Sequence, residues 1–200
     1  MSKRIFIVAP IGREQLEIEA QNQLREFQPE CLIKPTAVDA ETFFECKLPK
    51  IANVFADYRE IPDGIFGWSD SERMEVVVSI DLIESDSLVD RRRGRATIPH
   101  ECYHAIKHIP QYRRKQQLLK SINNGKDLLF RQEYRQEEIK PYYNPEWQSW
   151  WWAKAFMMPL HIVQQLFIQG YSAYDMAEMF DLNPAFVKIR IEDLKRWGKI

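Results

Sequence analysis

His100 and His104 stand four residues apart, and Glu101 directly follows the first of them. On a helix, positions four apart lie on one face, so these two imidazoles can meet one metal ion. Glu101 can then reach a water bound to that metal. The string His100-Glu101-Cys102-Tyr103-His104 reads H-E-x-x-H, the zinc-peptidase arrangement of two ligands plus a general base. One bound Zn2+ is the expectation. Cys102 lies two residues from each histidine, on the other side of the helix, and reads as a packed thiol.

A catalytic zinc has three protein ligands and a water. Four later residues are candidates for the third place: His108, Glu146, Gln148 and His161. On a straight helix His108 would lie about 6 Å further along than His104, too far to share the metal. It reads as a C-terminal capping or surface histidine. Glu146 opens a strongly apolar helix, where the helix dipole favours a carboxylate. Its face continues through Ser149 and Ala153, small enough to let another helix approach. An ordinary helix-start acid explains Glu146 equally well at this level. Gln148 lies about 200° further round the same helix, so the two cannot both face the metal.

The elements that must position these residues follow from periodicity. Leu16, Ala20, Leu24 and Phe27 form one stripe of a helix over 12–27. Asp39 caps a helix carrying Phe43, Phe44 and Leu48, which Pro49 should stop. Ile51–Tyr58 reads as a strand, and Ile65–Trp68 with Met74–Ile80 as a hairpin about Ser69-Asp70-Ser71. A small, twisted, mostly antiparallel sheet is expected, with Met74–Ile80 as the edge strand that could pair with an extended substrate. The motif helix should end near His108, before Pro110. Pro99 is tolerated only in a first turn, so that helix should start near Thr97 or kink. A further helix spans 111–122, closed by Asn123-Asn124-Gly125, and 128–134 is ambiguous between strand and loop. Asn144 caps a helix with Pro145 at its first position. A further helix carrying Ile162, Leu166 and Phe167, then two more at about 172–180 and 184–197, complete an α+β chain.

The chain has 200 residues, 45% of them apolar, with 28 basic and 29 acidic side chains. That length suits one domain with a small appendage, 1–160 and 161–200. The charge balance calls for neither nucleic acid nor an anionic membrane. Three cysteines without a CxxC pair fit reduced thiols in the cytoplasm. The apolar run Ile5–Pro10 is too short for a signal core, and no stretch reaches membrane-spanning length.

At these residues the chain resembles the ImmA/IrrE family of intracellular metallopeptidases. The first block of resemblance is the arginine-rich approach Arg91-Arg92-Arg93-Gly94-Arg95 and the step Thr97-Ile98-Pro99 into the motif. The second runs from Glu146-Trp147-Gln148-Ser149 to Phe156-Met157-Met158-Pro159. The resemblance covers about residues 15–197. It implies a zincin-like fold, a catalytic Glu101, and one zinc on His100, His104 and Glu146. It also implies proteolysis of a protein substrate, a helix-turn-helix repressor of stress response or mobile elements. Tyr103 stands where the family has glycine, Pro99 where it has alanine, and Trp150 and Trp151 where it has smaller polar residues. Gln148 can instead be aligned with the ligand column, which would imply a weakened or inactive enzyme, since glutamine is a poor zinc ligand. Tyr103, Tyr142, Tyr143 and His161 are the candidates for stabilising an oxyanion.

Two other classes compete. One is an inactive zinc-binding or regulatory protein-interaction module. The other is a DNA-binding regulator, because the tail has a helix-turn-helix rhythm. Residues 170–200 carry five basic and five acidic side chains, a balance that argues against DNA. The arginines at 91–95 read as solvated or ion-paired, and Trp147, Trp150, Trp151 and Trp152 as core.

Overall fold

The computed structural model describes residues 4–122, 134–135 and 138–200. The chain is α+β: ten helices among the described residues surround one small mixed sheet. A two-residue strand β1 (Arg4–Ile5) leads into α1 (Arg13–Phe27), whose Leu16, Ala20 and Leu24 are buried as the stripe requires. The expected turn at Asn123–Gly125 and most of 128–134 lie outside the described residues. Only β5 (Tyr134–Arg135) is seen there, antiparallel to β1.

Neither Pro49 nor Pro110 stops its helix. Asp39 caps α2 (Ala40–Thr42) through a bond from the Thr42 N–H. The chain then widens into a π turn over Phe43–Lys47 and resumes as α3 (Leu48–Ala52). Likewise α5 (Leu88–Tyr103) passes through a π turn at His104–His108 into α6 (Ile109–Ile122). The two junctions share one device. The N–H of Leu48 reaches back to Phe43, and that of Ile109 to His104, each skipping one residue more than an α-helix does. The proline that follows lacks an N–H and clashes with a carbonyl in regular helix; a wider turn relieves both problems.

Pro99 also stands inside a helix and not at its start. Every residue from Ala96 to Tyr103 is buried, so tertiary packing outweighs the lost backbone bond. Ser87 caps that helix by accepting from the Asp90 N–H.

The sheet contains β2 (Phe55–Arg59), β3 (Gly67–Asp70) and β4 (Glu75–Ser79), in the order β2-β4-β3. β3 and β4 form the expected hairpin, with the turn displaced to Ser71–Met74. β2 lies parallel to β4 on its other side, so the sheet is mixed and not mostly antiparallel. β4 is therefore the central strand, which removes the edge role expected for Met74–Ile80. Val76, Val77 and Val78 are fully buried. Their unbroken β-branched run signals burial on both faces, the mark of a central strand.

A short α4 (Ile80–Ile83) joins the sheet to α5. Asn144 caps α7 (Pro145–Met157), accepting from the N–H groups of Glu146 and Trp147. α8 (Leu160–Ile168), α9 (Ala173–Phe180) and α10 (Pro184–Arg196) follow, with a Ser172–Asp175 capping box opening α9. Met176, Phe180, Val187 and Leu194 belong to the same hydrophobic core as Phe43, Trp152 and Phe156.

Polar contacts reinforce that union. Arg92 on α5 forks onto Glu178 at 2.8 and 2.9 Å and onto Asp181 at 3.0 Å. Arg95 donates to the carbonyls of Asp181 and Val38. The arginine approach is thus partly ion-paired structure that anchors the tail to the motif helix. Among the described residues no helix is long and apolar enough to cross a membrane.

Candidate metal centre

α5 and the π turn after it pack against α7, and the metal-ligating atoms of three residues converge between them. His100 Nε2 lies 3.2 Å from His104 Nε2 and 3.5 Å from Glu146 Oε2. His104 Nε2 lies 3.9 Å from Glu146 Oε1. Ligands at ~2.0–2.1 Å from a tetrahedral zinc sit about 3.3 Å apart, so these separations suit one small cation. The three residues form a group able to hold a metal ion. The side chains of His100, His104 and Glu146 retain 7%, 13% and 25% of their exposure, so the cluster opens to solvent on the Glu146 side.

Glu101 stands beside this group and outside it. Its Oε2 accepts from the Ser69 hydroxyl at 2.8 Å, and its Oε1 lies 4.0 Å from His100 Nε2. Strand β3 closes directly over it. A Cβ on Gly67 would come within 2.9 Å of Glu101 Cγ and 3.0 Å of the Val77 carbonyl. Only glycine lets the strand approach this closely.

The other candidates fall elsewhere. Gln148 is fully buried behind the cluster, with its amide N–H groups donating to the carbonyls of Ala9 and Tyr142 at 2.9 and 2.8 Å. His161 bonds the Leu32 carbonyl at 2.7 Å and takes no part. Tyr103 points to the opposite side of α5. Its hydroxyl donates to Glu19 and its ring stacks on Trp152 at 5.2 Å. α1 and α7 absorb the bulk that stands where the family pattern has glycine, and the Tyr103 hydroxyl is committed away from the cluster. Cys102 is buried, with its thiol pushed well up by burial.

His108 is the largest correction. It is neither a cap nor on the surface: its exposure is zero. Its Nδ1 lies 3.0 Å from His104 Nδ1, and its Nε2 lies 3.0 Å from Gln148 Oε1. Burial pushes its pKa down to about 4, so it is a neutral imidazole. The signal in the sequence was the continued spacing of four, 100, 104 and 108.

Trp150, expected in the core, is 38% exposed, and its ring lies over His100 at 4.1 Å. It forms an apolar wall on the open side of the cluster, braced by Phe186 of α10. Trp151 and Trp152 are buried as expected.

No family model matches the chain, and no curated protein or solved structure matches it. The functional reading rests on the residues themselves.

Proposed function

We propose that this chain is a zinc metallopeptidase of zincin-like architecture, with His100, His104 and Glu146 as ligands and Glu101 as general base. The observation that carries the proposal is the position of Glu101. It is held by Ser69 next to the three-acceptor group, close enough to reach a metal-bound water and outside the ligand set. A bound zinc would supply Lewis acidity to a carbonyl and lower the pKa of a water. Glu101 takes a proton from the attacking water on Oε1 and later gives it to the leaving nitrogen. The Ser69 hydroxyl keeps the carboxylate turned toward that task.

β3 takes the role first expected of Met74–Ile80. Among the described residues it pairs with β4 alone, so its outer edge offers backbone groups to an extended peptide beside Glu101. The resemblance to ImmA/IrrE peptidases suggests an intracellular setting and a helix-turn-helix repressor as substrate. The tail supports protein chemistry over DNA binding. Of its basic residues, Arg190 is fully buried on Glu17 and Arg196 pairs with Asp193.

The test is metal analysis with Glu101→Gln. Wild-type protein should carry about one zinc and cleave a repressor-derived peptide library. The variant should keep the metal and lose at least about 10²-fold in rate. Equal cleavage by both proteins would overturn the assignment of Glu101. Bound metal without cleavage by either protein would favour a zinc-binding interaction module.

A further inference from the structure

We propose that His108 and Gln148 act as positioning residues that lock His104 in the one tautomer able to ligate a metal through Nε2. The inference rests on the metal reading of the cluster and adds two residues to it. Each step follows from donors and acceptors. The Gln148 amide nitrogen faces two backbone carbonyls, of Ala9 and Tyr142. A flipped amide would set oxygen against oxygen at both contacts, so its orientation is determined. Its Oε1 therefore faces His108 Nε2 as an acceptor, and His108 Nε2 must carry the proton.

The ring of His108 is fully buried, and its two nitrogens face Gln148 and His104 and no carboxylate. A second proton on it would be a buried charge bonded to no counter-charge. Its Nδ1 is thus a lone pair, and it faces His104 Nδ1 at 3.0 Å. Two facing nitrogens at that distance need one proton between them, so His104 Nδ1 carries it. His104 Nε2 is left as a lone pair, aimed at His100 and Glu146. The relay begins at backbone carbonyls, which cannot titrate, and ends at the metal-facing atom.

The π turn makes the relay possible. It carries the chain from His104 to His108 with one residue more per backbone bond than an α-helix allows. His108 thereby lies behind His104 and bonds it through Nδ1. The Gln148 amide also ties the N-terminal segment to the site, because it donates to the Ala9 carbonyl.

Two measurements on the full chain test this. The first is 15N-edited NMR of the imidazoles in metal-free wild-type protein. His104 should appear protonated on Nδ1 and His108 on Nε2. His104 protonated on Nε2 would overturn the proposal whatever the protein binds. The second is Co2+ and Zn2+ affinity of His108→Phe, which keeps an aromatic ring and removes the acceptor. The affinity should fall about 10–100-fold, the usual cost of losing such an outer partner. An unchanged affinity would overturn the proposal. If the wild-type tautomers are as stated and no metal binds, the relay stands and the metal reading falls, so the two ideas fail separately.

Discussion

Two polar clusters in this molecule, one buried and one open to solvent on its Glu146 side, differ in logic. In the first, Glu17 of α1 meets Arg190 of α10 at 2.6 and 2.8 Å and accepts from the Trp151 indole N–H at 2.9 Å. Arg190 also donates to the Met158 carbonyl. Opposite charges meet and four donor–acceptor bonds form inside the cluster, although Arg190 Nε stays without a partner. In the second, His100, His104 and Glu146 bring three metal-ligating groups within 4.8 Å of one another. Groups of this kind can share one cation. The first cluster is built on charge complementarity, and the second on ligand types that one metal ion can share.

Breaking each cluster should give opposite results. The largest effect is expected for the double substitution His100→Ala, His104→Ala. Metal content should fall to background, as elemental analysis reads, and added metal should no longer raise the melting point, as calorimetry reads. A variant that keeps its metal would erase the distinction.

Arg190→Met should behave in the reverse way. It strands the Glu17 carboxylate in the core and should cost about 3–5 kcal/mol of stability in urea unfolding. Folded protein should keep its metal. Pairing it with Glu17→Leu should restore much of the loss, since apolar replacements of a buried ion pair are often neutral. Failure of that rescue would show that the pair does more than satisfy itself.

Gly67→Ala probes the seam between fold and site. The new methyl would press on Glu101 Cγ and the Val77 carbonyl. A misplaced general base should slow cleavage by up to about 10²-fold, with zinc content unchanged. An unaffected rate would show that β3 does not hold Glu101 in place.

The two clusters also differ in how far the sequence reveals them. Two of the three converging residues share one helical turn, so local spacing announces them. Glu146 sits at a helix start, and only the packing of α5 against α7 brings it to the histidines. Glu17, Trp151 and Arg190 lie on three distant helices, and no local pattern links them. The hairpin and the caps at Asp39 and Asn144 were legible because turn and cap chemistry is local. The parallel docking of β2 was not, because strand patterning says nothing about which neighbour a strand chooses. Pro49 and Pro110 misled because a π turn is a tertiary solution that leaves no mark beyond the proline itself. His108 misled for the same reason: its role depends on a turn that straight-helix geometry does not contain.

The smallest expected effect concerns the thiols, and it sharpens the line between site and core. Cys102 lies between the two histidines in sequence, so a metal site built on the wrong helix face would recruit it. Here it faces the core and is fully buried, and burial drives its thiol strongly toward the protonated form. Cys31 is also buried, and burial together with the neighbouring Glu30 carboxylate pushes its pKa up to about 12. Cys46 is exposed. Alkylation needs a thiolate and access to it. At pH 8 one thiol, Cys46, should therefore react in the native protein and all three in denaturant. Adding zinc should leave that count at one, and the rate for Cys46 unchanged, because no thiol belongs to the ligand set. Mass-spectrometric mapping of the labelled residues gives the answer directly. Zinc-dependent protection or exposure of Cys102 would mean that its face of α5 takes part in the site, and the division between a self-contained core and a converging acceptor cluster would have to be redrawn at that residue.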